Sequence, residues 1–230
     1  MSNNRAGAMS AIAGATLLFI STYLHPLGAD PNDAVAAFAE YAADSWWRAT
    51  HLTQFAGVMF MTVTLLFLAQ ELECAGGKGW SRLAAGGAIA SLGVIAVLQA
   101  VDGIALKALV DAWASAPSAQ KEVTFQAALA VRQVEIGLAS MVNLLFGFTT
   151  ACYGIALLGN SMYPKWMGGL AIIGGVGATI AGGMMAYTGF SGPAMVVSMP
   201  ASVLLLTWMF SLGVLMWRQD SVRPDHSVTY

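Results

Sequence analysis

The chain has 230 residues, 57% of them hydrophobic and only 10% charged, with a formal net charge of -2 and a mean hydropathy of +0.68. A soluble domain carries about a quarter charged residues, so a soluble enzyme is excluded, and without a basic stripe so is a nucleic-acid partner. The apolar residues come in long blocks, which predicts an all-α integral membrane bundle in a lipid bilayer.

The first predicted span covers residues 8–25, after a short polar stretch holding Arg5. A cleaved signal peptide has a similar outline, but no A-x-A site follows closely and the segment ends in His25-Pro26, so a retained helix is expected. Asp30 as N-cap with Pro31 at the first helical position predicts a short surface helix running to Ala43. Five further spans follow at residues 46–69, 83–109, 136–158, 166–187 and 194–217, the fourth led in by helix from Glu122 and the last kinked at Pro200. Residues 218–230, including His226, read as a disordered cytoplasmic tail. The two cysteines give no disulfide framework; Cys74 is expected in the loop after the second span and Cys152 within the fourth. Gly174, Ala178 and Gly182 form a small-xxx-small ridge suited to close helix packing.

Six spans put both termini on one side. That side collects Arg5, Lys78, Arg82, Lys165, Arg218 and Arg223, whereas Arg48, Lys107, Lys121 and Arg132 fall on the other among several acidic residues. Positive loops mark the cytoplasm, which predicts a bacterial inner-membrane protein with both termini inside. Trp46, Trp47, Trp80, Trp166 and Trp217 sit near span ends, where interfacial anchors belong.

The ionisable residues gather at the outer ends of the first four spans. His25 ends the first, and Arg48, His51 and Gln54 recur every three residues at the start of the second, close together on one helix face. Gln99 and Asp102 lie near the end of the third, and Arg132 and Glu135 near the start of the fourth. Such groups cost about 2.5–3.5 kcal/mol each in a membrane helix on insertion scales, so they mark a candidate pocket. A four-helix bundle around an outward polar pocket is expected, capped by the surface helix, with spans five and six as packing partners. The competing structural account is a salt-bridge network, Asp102 with Arg48 or Arg132 and Glu135 with Arg132. Lys107 and Asp111, spaced i, i+4, read as an ordinary helix-end pair, and Asn143 as an interhelical hydrogen bond.

A helix ending in His25-Pro26, the acidic stretch opened by Asp30-Pro31, W-x-x-x-H from Trp47 to His51, and Asp102-Gly103 together resemble a recurring bacterial group of small multi-pass membrane proteins with no assigned activity. The resemblance implies the membrane topology and draws attention to His25, His51 and Asp102; it transfers no mechanism.

Three functions are compatible with this constellation. His25, His51, Asp102 and Glu135 offer four ligands to zinc or another divalent metal, although no H-x-x-x-H pair fixes two of them on one helix. His25 and His51 are alternatively axial ligands of a b-type haem, with Arg48 or Arg132 at the propionates and Gly14 and Gly57 as small residues nearby. The third is a small anionic or amphiphilic ligand held by Arg48 and Arg132, with His51 as a proton switch. A homo-oligomer and a purely structural accessory subunit are also compatible.

Overall fold

A computed structural model describes residues 3–26, 28–75 and 78–222, all helix and connecting turn. The predicted tail from residue 223 onward, with His226, lies outside the described residues. Helix α1 (Asn3–Leu24) is followed by the short α2 (Ala34–Ala43), then α3 (Trp47–Cys74) and α4 (Lys78–Ala100). α4 runs through a π-helical segment (Val101–Leu106) into α5 (Lys107–Ser115) without a break. α6 (Lys121–Leu158), α7 (Lys165–Thr188) and α8 (Gly192–Val222) complete the chain. Six helical stretches are long and apolar enough to cross a bilayer, the third combining α4, the π segment and α5. This fits a multi-pass membrane protein.

Several boundaries differ from the sequence expectation. The N-cap of α2 is Asp33, whose carboxylate accepts from the amides of Val35 and Ala36 at 3.1 Å. Asp30 instead accepts from the Asn32 amide at 2.9 Å, an Asx turn that holds the chain before the helix. Cys74 ends α3 rather than lying in a loop, because the helix continues through residues 70–74, with Leu72 buried in the core. Pro200, the expected kink position, sits inside the continuous α8, as expected of a proline within a span.

The six long helices form a ring in chain order. Each packs on the next, α1 on α3, α3 on α4, α4 on α6, α6 on α7, α7 on α8, and α8 returns to α1. Arg5 pairs with Asp220 at 3.2 Å, so the two ends of the ring sequence meet at one end of the bundle. There the ring is filled: Ala8, Ala11, Leu65, Leu68, Tyr153, Trp208 and Leu212 belong to one buried cluster. Tyr153 donates its hydroxyl to the Leu65 carbonyl at 2.8 Å, as a buried phenol must find an acceptor. At the opposite end α2 closes the ring on a separate aromatic cluster of Phe38, Tyr41 and Trp47.

The tightest seam, between α6 and α7, uses residues seven apart on both helices. A Cβ on Gly175 would lie 2.5 Å from the Gly147 carbonyl oxygen, one on Gly168 2.8 Å from that of Gly154, and one on Gly182 2.8 Å from that of Ser140. The expected ridge of Gly174, Ala178 and Gly182 therefore does not act as one surface. Gly182 faces α6, whereas Gly174 abuts Leu205 of α8 and Ala178 clusters with Ala201 and Leu205.

Candidate functional site

The α2 end of the ring gathers most of the scarce polar groups. α1 ends just before His25, and the first turn of α3 carries Trp47 and His51 one above the other. The π segment then delivers Asp102. π-bulges widen a helix by one residue and are frequent at functional sites; here the bulge turns the backbone toward α3. Gly103 makes this approach feasible, since a Cβ there would stand 2.5 Å from the Cβ of His51. The Trp47 indole N–H donates to the Asp102 carbonyl at 3.1 Å, tying the π segment to α3.

Hydrogen bonding defines the proton positions on both imidazoles. His51 Nδ1 lies 2.8 Å from the Trp47 carbonyl oxygen, and a carbonyl only accepts, so Nδ1 carries hydrogen. His51 Nε2 faces Asp102 Oδ2 at 3.0 Å. Two lone pairs cannot face each other at that distance, so the gap holds either a proton, making an imidazolium–carboxylate pair, or a metal cation. His25 repeats the first half of the pattern, with Nδ1 2.9 Å from the Pro26 carbonyl oxygen. Burial, and then the neighbouring His51, hold the His25 imidazole below its ordinary value of 6.5, which favours the neutral ring with its lone pair on Nε2.

His25, His51 and Asp102 each offer a ligand atom, all within 4.8 Å of one another. Zinc at about 2.0–2.1 Å from each ligand in tetrahedral geometry separates ligand atoms by about 3.4 Å, so the widest separation has to close by about 1.4 Å around an ion while the 3.0 Å His51–Asp102 contact opens slightly. Asp102 Oδ1 is buried without a partner among the described residues. The rings of Tyr41, Trp47, His51 and His25 pack in sequence, with centroid separations of 4.3, 4.6 and 5.2 Å. This stack fixes the imidazoles between aromatic faces.

Glu135, expected as a fourth ligand, lies outside the three-residue group. It forms a close buried ion pair with Arg132, one turn back on α6. Arg132 also reaches the Pro31 carbonyl at 3.4 Å and stands over the rings of Tyr41 (5.5 Å) and Phe190 (5.0 Å). Its Nε has no partner among the described residues. Burial raises the Tyr41 hydroxyl to about 12, so it stays protonated. His25, Asp102, Arg132 and Glu135 line one cavity of about 490 Å³, together with residues of the 29–32 turn, Glu40, Tyr41, Phe190, Gly192, Met195 and Met199.

Other expected members are placed elsewhere. Arg48 is exposed and pairs with Asp111 at 3.4 Å, away from His51; the three-residue repeat drifts around the helix enough to turn Arg48 outward while His51 points in. Gln54 accepts from Gln99 Nε2 at 3.2 Å, an amide pair between α3 and α4 below the histidines. Lys107 bonds Asp111 at 2.8 Å but also caps α2, donating to the Tyr41 and Ala42 carbonyls at 2.7 and 3.0 Å. Asn143 donates to its own helix at Ala139 and contacts Met185 Sδ of α7 at 3.7 Å. Trp47 is buried in the site rather than anchored at an interface, unlike the exposed Trp46, Trp80, Trp166 and Trp217.

The last two long helices are more than packing partners. Phe190 from the α7–α8 turn and Met195 and Met199 of α8 form cavity wall, and the Phe190 carbonyl accepts from Asn32 at 3.0 Å. Sequence reasoning missed them because they carry no charge.

A bis-histidine haem does not fit. The His25 and His51 rings touch edge to face at 5.2 Å, leaving no room for a porphyrin between them. Gly14 and Gly57 serve a helix crossing instead, a Cβ on Gly14 falling 2.7 Å from the Gly57 carbonyl oxygen. Comparison with known proteins yields no match to a family, to a curated protein or to a solved structure.

Proposed function

We propose that this multi-pass membrane protein holds a divalent transition metal at His25, His51 and Asp102, with an open coordination position facing the cavity. The observation that carries this reading is the direction of the imidazoles. Each Nδ1 is tied to a backbone carbonyl, and metal-binding histidines almost always donate their other ring N–H in this way. That leaves each Nε2 to act as a ligand, and one ring nitrogen of each histidine and one Asp102 oxygen lie within 4.8 Å of one another, with Asp102 Oδ1 unpartnered among the described residues.

Two imidazoles and one carboxylate suit zinc or ferrous iron and leave room for water or a ligand oxygen. Such an ion polarises a bound oxygen and lowers the pKa of bound water. The Arg132 charge, which otherwise repels a cation, is offset by Glu135 beside it. Taken with the positive loops at the other end, the proposed orientation has the cavity on the extracytoplasmic side of a bacterial inner membrane, with both termini cytoplasmic.

Elemental analysis of protein purified without chelator tests this. One equivalent of zinc or iron is expected in the native chain and a loss of most of it in His51→Ala and in Asp102→Asn. A metal-free native protein whose melting is indifferent to added zinc or iron contradicts the reading. The 3.0 Å contact of His51 with Asp102 then stands as a structural ion pair between α3 and the π segment, the second reading.

A further inference from the structure

A second, partly open cavity of about 290 Å³ lies among the helices of the ring. It touches every long helix and has a mainly apolar wall, Met61, Ile95, Phe146 and Leu205 outnumbering the polar Thr22, Gln99, Asn143 and Ser202 with the help of further leucines and valines. Its volume is close to the lower bound of ordinary ligand pockets, about 300 Å³.

This cavity begins about one helical turn below the polar one. On three walls the nearest lining residues of the two are three positions apart: Thr22 and His25 at the end of α1, Gln99 and Asp102 along α4 and the π segment, and Ser202 and Met199 on α8. Three helical residues rise about 4.5 Å. Polarity falls along the same line, from His25, Asp102, Arg132 and Glu135 through the Gln54–Gln99 amides and Asn143 to the apolar side chains of Met61 and Phe146. Below that lies the buried cluster around Leu65, Tyr153 and Trp208, which closes the lower cavity from beneath.

We infer that the natural ligand is a single-chain amphiphile with a compact anionic head. Its oxygens meet Arg132 and the metal position, and its hydrocarbon chain descends between the helices into the lower cavity. The metal contact rests on the proposed function; the chain-binding part does not. Arg132 supplies the charge argument: it lines the polar cavity, Glu135 occupies one end of its guanidinium and its Nε is unpartnered among the described residues, while the Asp30 and Glu40 carboxylates that share the lining are tied to backbone amides. The chain argument is the mainly apolar lower cavity, which a small hydrophilic substrate would leave unused.

The test uses the full chain, stripped of lipid in a maltoside detergent, with binding followed by native mass spectrometry and thermal shift. Probes are hexadecanoate, hexadecyl phosphate, hexanoate and hexadecanol. One hexadecanoate or hexadecyl phosphate should bind per chain, and the preferred one identifies the head. Hexanoate should bind at least about tenfold more weakly, since it leaves the lower cavity empty, and hexadecanol likewise, lacking charge. Ser202→Phe, at the exposed edge of the lower cavity, should weaken the long-chain anion at least about tenfold without changing metal content or hexanoate binding. If that variant loses metal or melts early, Leu98→Phe, in the same wall, replaces it. Equal binding of short and long anions, equal binding of the alcohol, or native long-chain binding in a folded filled-cavity variant overturns the inference. A metal-free protein that keeps the chain-length and charge preferences refutes the metal site alone.

Discussion

Gly103 and His51 are in contact as closely as a glycine permits: a Cβ on Gly103 would stand 2.5 Å from the His51 Cβ and 2.9 Å from its Cγ. The Asp102-Gly103 pair thus works as a unit, the aspartate providing the carboxylate and the glycine letting that carboxylate reach the imidazole. Gly103→Ala should push the π segment away from α3. The expected cost is about 1–3 kcal/mol of stability, as for overpacking elsewhere, with weaker metal retention. A variant that melts and binds metal like the native protein removes the coupling.

Trp47 supports the same contact through its indole N–H on the Asp102 carbonyl. Trp47→Phe keeps an aromatic ring in the stack but leaves that carbonyl unpaired. Groups that orient metal ligands typically carry about 10–100-fold in affinity, and a loss in that range is expected in a competition titration against a chelator. An unchanged affinity assigns Trp47 to packing only.

Arg132 and Glu135 are both buried and paired, so breaking the pair from one side should be costly. Arg132→Gln leaves the Glu135 charge without its partner, and about 3–5 kcal/mol of destabilisation is expected. Adding Glu135→Gln should recover most of it, which thermal unfolding of the single and double variants measures. Arg48→Ala is the contrasting case. Its partner Asp111 is part-exposed, such surface pairs contribute about 0–1 kcal/mol, and metal content should not change. Loss of metal in Arg48→Ala places it in the site after all.

The α6–α7 seam predicts opposite outcomes for neighbouring glycines. Gly175→Ala drives a methyl into the Gly147 carbonyl and the Ala151 backbone, where no flexible side chain can yield; lower stability by about 1–3 kcal/mol is expected. Gly183→Ala meets nothing within 4 Å and should be neutral or slightly stabilising, as alanine is the better helix former. Equal effects at the two positions contradict the seam.

The spans were legible in the sequence because block hydrophobicity is a one-dimensional signal, and the aggregation of His25, His51, Asp102, Arg132 and Glu135 at one end followed from alternating direction alone. Which of these share a partner was not legible. The reach of Asp102 depends on a π-bulge, which leaves composition and hydropathy unchanged, and the outward drift of Arg48 depends on the rotation of α3 in the bundle. Met195, Met199 and Phe190 carry no polar mark that separates a cavity wall from lipid-facing surface. On α7, small residues lie at both four- and seven-residue spacings; only the position of α6 selects the Gly168, Gly175 and Gly182 register over Gly174, Ala178 and Gly182.

X-ray absorption at the metal edge of the purified, zinc- or iron-loaded chain bears most directly on the proposed centre. The expected spectrum has only nitrogen and oxygen neighbours, at about 2.0–2.1 Å for zinc, with the outer-shell pattern of two imidazoles, falling to one in His25→Ala. A spectrum without imidazole scattering, or one that His25→Ala and His51→Ala leave unaltered, contradicts a metal held by His25, His51 and Asp102.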